Sequence, residues 1–205
     1  MYDSSLRQSP LATLHLGDRR IPPAPDATVH LAEKSPVGKL NLRADPADSP
    51  LMRAFESVLG SALPLEPNQT TGEGARVALW LGPDEWLITV PGGQEHALLA
   101  ALSDAAAEHH VALCNVTDAR IVLTLSGRRA RDVLEKGCGL DLHPRVFQTG
   151  HCAQTRLARA AVLLLQTGDN PVYDIHVAWS FAAYLWNWLE DAAAGFVLSI
   201  GGEST

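Results

Sequence analysis

The chain has 205 residues, a formal net charge of −7 and an apolar content of 46%, all ordinary for a folded domain. No basic stripe runs along any predicted element, which argues against a nucleic-acid-binding protein. No apolar run approaches a membrane span and the first residues lack a signal-peptide pattern, so we expect a cytoplasmic protein. The three cysteines have no paired spacing, and we expect reduced thiols at Cys114, Cys138 and Cys152.

Residues 1–27 are predicted to form an extended N-terminal arm. Four prolines interrupt any periodic pattern there, because proline removes a backbone donor and disfavours helix before it: Pro10, Pro22, Pro23 and Pro25. The segment also carries more leucine than a solvated tail needs. A flexible terminus and an arm that lies on a partner or on the chain's own core both remain open.

Residues 28–116 form the first predicted repeat. Two short strands fall within Val29–Leu42. A helix follows from Ser49, which is a favourable cap with proline behind it. The polar stretch Glu66–Gly74 is predicted to be a loop.

The clearest pattern of the chain is Ala75–Val90. Two alternating apolar runs flank the turn sequence Gly82–Glu85, which predicts a β-hairpin. A helix with Leu98 and Leu102 on its apolar face follows. Val111–Val116 is predicted to close the repeat as a strand.

Residues 117–205 repeat this order. They show a strand at Ile121–Leu125, a helix capped by Ser126, a long connection over 139–153 and a second hairpin within Ala160–Trp179. The last helix begins at Ser180. Phe196–Ile200 is a candidate closing strand, although the conformation of the tail after Gly195 stays open.

Two copies of one βαββαβ unit are therefore predicted, packed as one globular unit. This order is the ferredoxin-like split arrangement, which places the chain in the α+β class.

The last helix has a continuous apolar stripe at helical spacing. Its members are Phe181, Tyr184, Leu185, Trp188, Leu189 and Ala192. Trp186 points away from this stripe at about 100° per residue. We expect Trp186 either to be covered by another segment, such as the arm, or to belong to an interface.

A search for reactive groups predicts no catalytic, cofactor-binding or metal-binding residue. The nearby group Cys138, His143, His151 and Cys152 has no ligand pair at zinc spacing. Two candidate catalytic pairs, Asp118 with Arg120 and Asp169 with Asp174, are better explained as turn and strand-end charges. Nucleophile-elbow, P-loop and dinucleotide patterns are also missing from the sequence.

Three arginines cluster near the start of one predicted helix, where they oppose the helix dipole: Arg128, Arg129 and Arg131. A bound anion, acidic groups of a partner, or simple solvation would each account for them. The sequence leaves their role open.

Several segments together resemble the gamma subunits of heterotetrameric sarcosine oxidases. They are Ser9–Ala12, Gly82–Leu87, Leu125–Leu134, Lys136–Cys138, Leu140–Phe147, Cys152–Ala158 and Ser180–Ala192. The turn Gly82–Trp86 alone is also typical of the wider aminomethyltransferase (glycine-cleavage T-protein) superfamily, so a fold like the folate-binding domain of T-protein is implied.

The resemblance implies a non-catalytic subunit of a complex that oxidatively demethylates sarcosine to glycine. Oxygen is reduced to hydrogen peroxide, and the one-carbon unit leaves as methylenetetrahydrofolate or formaldehyde. FAD, FMN, NAD and zinc are expected on other subunits. The alpha subunit is the expected main contact of this chain, with beta and delta subunits as further partners.

Two other functions remain as alternatives. The first is a free-standing folate-binding one-carbon enzyme of the T-protein type, although the chain has only about half the length expected for one. The second is a homo-oligomeric scaffold unrelated to oxidation. Folate binding by the isolated chain would favour the first alternative over a subunit role.

Overall fold

The computed structural model describes residues 8–16, 21, 26–74 and 76–202. The chain forms two compact units. One comprises Pro36–Asp118 with Gly150–Ala153, and the other comprises the described residues within Met1–Ser35, with Ala119–Thr149 and Gln154–Thr205.

Strands and helices are numbered in chain order. The strands are β1 (Val29–Glu33), β2 (Val37–Arg43), β3 (Thr70–Glu73), β4 (Arg76–Gly82), β5 (Glu85–Pro91), β6 (Ala112–Asn115), β7 (Arg120–Ser126), β8 (Cys152–Leu157), β9 (Ala160–Gly168), β10 (Val172–Ala178) and β11 (Leu198–Gly202). The α-helices are α1 (Ser49–Leu59), α2 (Glu95–Ala105), α3 (Ala130–Glu135) and α4 (Ala182–Ala193). None of these described helices has the length and apolar character needed to cross a membrane.

The first unit contains a five-stranded sheet in the order β3-β4-β5-β2-β6. Without the edge strand β3, this is the strand order of a ferredoxin-like βαββαβ unit, as the alternating pattern predicted. Helices α1 and α2 pack on one face of the sheet. The core between them is built from fully buried side chains that include Leu40, Leu42, Phe55, Trp86 and Ile88.

The predicted hairpin is confirmed as β4 and β5. Val77 lies opposite Thr89 and Trp80 opposite Trp86, with an irregularity just before the turn. Nearly every residue of β5 is buried, on both faces of the sheet. Its apolar character on alternate and intervening positions follows from this two-sided burial.

Helix α1 is capped by Asp48, and not by Ser49 as the sequence suggested. The Asp48 carboxylate accepts a hydrogen bond from the Leu51 backbone N–H at 3.1 Å, while Ser49 is already the first helical residue. The Asp48 carboxylate also lies 2.5 Å from Nδ1 of His109. Gly60 ends α1 in the left-handed conformation at φ 83°.

The prediction of a loop over Glu66–Gly74 was wrong in part, because it contains β3. This strand pairs antiparallel with β4. Its short sequence, Thr-Thr-Gly-Glu, is half to fully exposed and has no apolar alternation. Edge strands of this kind gain their order from one neighbouring strand, which periodicity does not reveal.

The second unit contains a six-stranded sheet in the order β11-β1-β7-β10-β9-β8. Here the ferredoxin-like order is interrupted, because β1 lies between the last strand of the repeat, β11, and the first, β7. β1 is parallel to β11 and antiparallel to β7. The tail after Gly195 therefore does form a strand, and its one described strand neighbour in a ladder is β1.

Part of the predicted N-terminal arm lies on the chain itself. Leu11 is 1% exposed and precedes a short 3-10 helix over Ala12–Leu14. The Ser9 hydroxyl donates to the Glu33 carboxylate at 2.6 Å, and Ile21 forms a bridge with Ile200. Residues 1–7, 17–20 and 22–25 of the arm lie outside the described residues.

Helix α3 begins four residues after the cap predicted at Ser126. Its flanking residue is Arg129, which makes no side-chain cap. The delay arises at Gly127, whose φ of 104° is not helical. A Cβ atom on Gly127 would lie only 2.6 Å from the Thr28 carbonyl oxygen, so glycine is required there.

The buried face of α4 is rotated from the predicted stripe. Phe181 and Tyr184 are exposed at 43% and 37%, whereas the buried residues are Ala182, Leu185, Trp186, Leu189, Ala192 and Ala193. The shift has a local cause: Trp179–Phe181 form a 3-10 turn, and the α-helix starts only at Ala182. Trp186 is fully buried within the chain, so the interface alternative for it was wrong.

Candidate functional site

The three arginines near α3 occupy two different environments. Arg128 and Arg129 are exposed and immediately precede the helix. Arg129 forms an ion pair with Asp132, with 2.7 Å between Nε and Oδ2, and its guanidinium carbon lies 5.0 Å from the centre of the Phe196 ring. Lys136 approaches the same ring at 4.8 Å. These two cations therefore converge on one aromatic ring.

Arg131 lies close enough to the buried phenol of Tyr173 to influence its pKa. Tyr173 is fully buried in β10, and burial raises the pKa of its hydroxyl, while the neighbouring Arg131 guanidinium acts in the opposite direction. The Tyr173 hydroxyl and Nε of Arg131 each lack a hydrogen-bond partner among the described residues.

The two aspartates that were weighed as a catalytic pair have separate roles. Asp169 is in the turn before β10 and accepts a hydrogen bond from the Thr149 hydroxyl at 2.7 Å, at an exposed position. Asp174 is in the middle of β10, 4% exposed, and contacts Lys34 Nζ at 2.5 Å and the Thr124 hydroxyl at 2.9 Å. Asp169 closes a turn, and Asp174 connects β10 with β7 and with the residue that follows β1.

The second weighed pair lies at an element boundary. Asp118 belongs to a short 3-10 helix over Thr117–Ala119, and Arg120 is the first residue of β7. Thr117 of the same turn is 5% exposed and its N–H bonds to the Asn115 side chain. The local hydrogen bonding is that of a strand connection.

The cysteines and histidines weighed as metal ligands are engaged locally. Cys152 is fully buried, and its thiol lies 3.5 Å from the Gln69 carbonyl oxygen and 3.6 Å from that of Trp80. Burial raises the pKa of the Cys152 thiol to about 11. His151 Nε2 lies 3.2 Å from the Gln69 amide nitrogen, and His143 Nδ1 accepts from the Arg145 N–H. Among the described residues, no group of three or more His, Cys, Asp or Glu side chains could hold a metal ion.

An exposed cluster of aromatic side chains marks the start of α4. Trp179, Phe181 and Tyr184 are 39%, 43% and 37% exposed, and the rings of Phe181 and Tyr184 meet edge to face at 6.3 Å. We call these three residues the aromatic face. Sequence reasoning missed it because two of its members, Phe181 and Tyr184, matched a helical apolar stripe. The signal available was a competing apolar stripe that shares Leu185 and Leu189 but runs through Ala182 and Trp186.

The titratable groups discussed above lie on exposed surfaces or in packed contacts within the chain. The groups with shifted pKa values are explained by structure: Glu33 and Tyr173 are raised by burial, and Asp48 is lowered by the backbone N–H of Leu51. Shifted groups with no structural explanation would point to catalysis.

Comparison with known proteins decides the family. The family model for the sarcosine oxidase gamma subunit family matches residues 43–195. The chain belongs to the sarcosine oxidase gamma subunit family.

Two relatives are similar to this chain over nearly its whole length. The sarcosine oxidase subunit gamma of Corynebacterium sp. (strain P-1) is 37% identical over 197 residues, covering 94% of this chain and 93% of that protein. The corresponding subunit of an Arthrobacter species is 35% identical over 197 residues, with the same coverage of both chains. The likeness therefore extends over nearly the whole of each protein.

Solved structures give the same result for the fold. A chain of the heterotetrameric sarcosine oxidase from Corynebacterium sp. U-96 matches with a TM-score of 0.84 and 33% identity, covering 98% of this chain and 100% of that one. Aminomethyltransferase T of the glycine cleavage system from Bartonella henselae matches with a TM-score of 0.70 at 16% identity, over 95% of this chain and 59% of that one. The predicted T-protein-like α+β fold is confirmed.

Proposed function

We propose that this gamma-family chain is a non-catalytic subunit of a heterotetrameric sarcosine oxidase. The complex would convert sarcosine to glycine and hydrogen peroxide, releasing methylenetetrahydrofolate or formaldehyde. The observation that carries the proposal is the end-to-end match with a chain of such an assembly, which leaves no part of that chain unaccounted for.

The contacts of the chain's titratable groups favour a non-catalytic role in the complex. The titratable groups weighed as catalytic are held in turns or in packed hydrogen-bonded positions, as with Asp174 between Lys34 and Thr124. FAD, FMN, NAD and zinc would accordingly reside on other subunits. We propose the alpha subunit as the main contact, with the beta and delta subunits completing a cytoplasmic complex.

The exposed aromatic residues are consistent with subunit packing. Tryptophan, tyrosine and phenylalanine are enriched in the buried parts of protein interfaces. The aromatic face offers three such residues on one short stretch. Large interfaces of permanent complexes are also more apolar than transient ones.

A free-standing folate enzyme is less well supported. The match to aminomethyltransferase T covers 59% of that protein and, at 16% identity, speaks for the fold alone. A family match that spans both chains end to end favours the subunit role.

The decisive experiment is a tagged pull-down from the native host, with an absorption spectrum of the eluate. We expect yellow material containing three companion chains, and loss of the flavin spectrum from this chain after separation. A colourless single species would overturn the proposal. Flavin or oxidase turnover retained by the separated chain would contradict its non-catalytic part.

A further inference from the structure

A groove beside α3 has features that the family assignment does not explain. It has a volume of about 330 Å³ and is lined by Thr28, Arg128, Arg129, Gly195, Phe196 and Val197. We call it the Thr28 groove. Its wall comes from three separate segments of one unit: the residue before β1, the turn before α3 and the residues before β11.

The backbone fixes the floor of the groove. The Thr28 N–H donates to the Val197 carbonyl at 2.9 Å, and the Thr28 carbonyl accepts from the Arg129 N–H at 3.0 Å. Gly127 leaves no room for a Cβ atom beside the same carbonyl. The three segments are therefore tied together at Thr28, so the groove keeps its shape without a ligand.

The charge of the groove is opposite to that of the chain. Arg128 and Arg129 line it, and Lys136 reaches the ring of Phe196, whereas the whole chain carries a net charge of −7. Asp132 engages Nε of Arg129. The two terminal nitrogens of the Arg129 guanidinium belong to a side chain that is 51% exposed. Such a fork suits bidentate recognition of a carboxylate.

Thr28 is buried at the floor of the groove. It is 7% exposed, and its hydroxyl has no hydrogen-bond partner within the described part of the chain. The hydroxyl oxygen is itself closed off from solvent, so the polar side chains that an occupant of the groove meets are the two arginines.

The surroundings of the groove favour a polypeptide occupant over a small anion. Phe196 offers a ring and Val197 is 43% exposed, so the groove has an apolar wall beside its cations. Ile21, also 44% exposed, lies against the adjoining strand β11 at Ile200. A short segment with one acidic and one apolar side chain would match both kinds of surface.

We propose that the Thr28 groove binds an acidic side chain from an extended segment of another subunit of the complex. The carboxylate pairs with Arg128 and Arg129, and its neighbour rests on Phe196 and Val197. This inference rests on the proposed function, because it requires companion subunits.

Carbodiimide coupling tests the contact in the assembled complex. The Arg128→Lys variant retains the positive charge and introduces an amine that can be joined to a carboxylate in direct contact. Mass spectrometry should find that lysine linked to an Asp or Glu of another subunit. The matched control is Arg159→Lys, at an exposed position in the turn before β9, which should give no such link.

Charge reversal gives the second measurement. Arg128→Glu should weaken assembly with purified companion subunits by about tenfold or more, and added salt should reduce the difference. Arg159→Glu should change the affinity less than about twofold. Equal effects of the two reversals would show only a general charge effect and would overturn the proposal.

Two further outcomes would also overturn it: an amide link only within this chain, or an unchanged affinity of Arg128→Glu. In both cases the complex would still form, so the proposed function would stand. A wild-type chain that fails to join any companion subunit would instead contradict the proposed function itself.

Discussion

The buried carboxylate of Asp174 shows how a single side chain depends on its partners. The Asp174 side chain is 5% exposed. It contacts Lys34, which follows β1, and Thr124 of β7. Desolvating a carboxylate is costly, and these contacts offset the cost. The group thus joins adjacent strands while adding no reactivity.

We expect Lys34→Met to lower the free energy of unfolding by about 1–3 kcal/mol, because it leaves the Asp174 carboxylate with one fewer partner. The Lys34 side chain is 45% exposed, which keeps the loss below that of a fully buried pair. Urea unfolding of the purified chain measures this loss of free energy.

Arg43→Met is the control: it breaks a pair with Asp84 in which both side chains are about half exposed, at 54% and 52%. The control should lose less than about 1 kcal/mol, and equal losses would contradict the account.

Two fully buried tryptophans differ in one hydrogen bond. Trp86 Nε1 donates to the Pro64 carbonyl at 2.7 Å, whereas Trp186 Nε1 has no partner in the described part of the chain. Both Trp86→Phe and Trp186→Phe remove ring area. Only the first also strands a carbonyl, so it should cost about 1–2 kcal/mol more in unfolding free energy. A larger loss for Trp186→Phe in parallel urea titrations would refute this explanation.

The cysteines should differ sharply in reactivity. With a pKa of about 11, the Cys152 thiol has about one thiolate in a thousand at pH 8 and is also fully buried. Cys114 is exposed. A colorimetric thiol reagent should therefore label Cys114 quickly and Cys152 only on unfolding. Cys114→Ser should remove the fast phase, and a fast phase lost in Cys152→Ser would disprove the assignment.

The raised pKa of Cys152 also makes the free energy of unfolding depend on pH. The folded pKa of Cys152 lies above the value of about 8.5 for a free thiol. As pH rises, the unfolded chain therefore loses the Cys152 proton before the folded chain does. The contribution of Cys152 to the free energy of unfolding declines as pH rises from about 8.5 toward 11.

Among the elements, α1 has the best-defined start. Its cap Asp48 has a lowered pKa, caused first by the Leu51 N–H and further by His109. Stabilisation by this carboxylate is therefore present above its unfolded pKa of about 3.9 and is lost as pH falls through the lower folded value.

Asp48→Ala should lower Tm by a few degrees at pH 7, because the cap is lost. The difference from wild type should shrink as pH falls through the lowered folded pKa of Asp48, because the carboxylate is then protonated in both states. Asp104→Ala, at an exposed position of α2, is the matched control and should have little effect. A difference that does not shrink at all as the solution is acidified would rule out the charged cap as its cause.

Elements with strong alternation were predictable, and those defined by long-range pairing were not. The hairpin β4–β5 follows from its apolar runs and turn residues. The edge strand β3 is polar, and its order comes from one neighbour, which leaves no periodic signal. In α4, apolar residues cover so much of the helix that two stripes fit, and only tertiary packing selects the one with Ala182 and Trp186.

The candidate surface was predictable only in part. The sequence drew attention to Arg128 and Arg129, but their neighbours Thr28 and Phe196 are about 100 and 67 residues away along the chain. Their approach depends on β1 entering the second sheet, for which no local pattern exists.

At the scale of the whole molecule, the exposed aromatic face should affect how the purified chain behaves without its partner subunits. The purified chain should self-associate through the aromatic face. Combining Phe181→Ser with Tyr184→Ser should weaken that association by about tenfold or more, as measured by sedimentation. Leu65→Ser removes an isolated apolar side chain that is 58% exposed and is the control. If it weakens association equally, the aromatic face is not the contact.

The placement of β1 has a consequence for how a newly made chain acquires its structure on the ribosome. Val29 pairs with Leu198, about 170 residues later. At about 5–20 residues per second, the first strand waits on the order of ten seconds for its last neighbour. Residues 36–118 emerge together and can fold while β1 still has an unpaired edge. β1 is thus the first strand synthesised among the described residues and one of the last to be fully paired, and until then its edge is open to pairing with another chain.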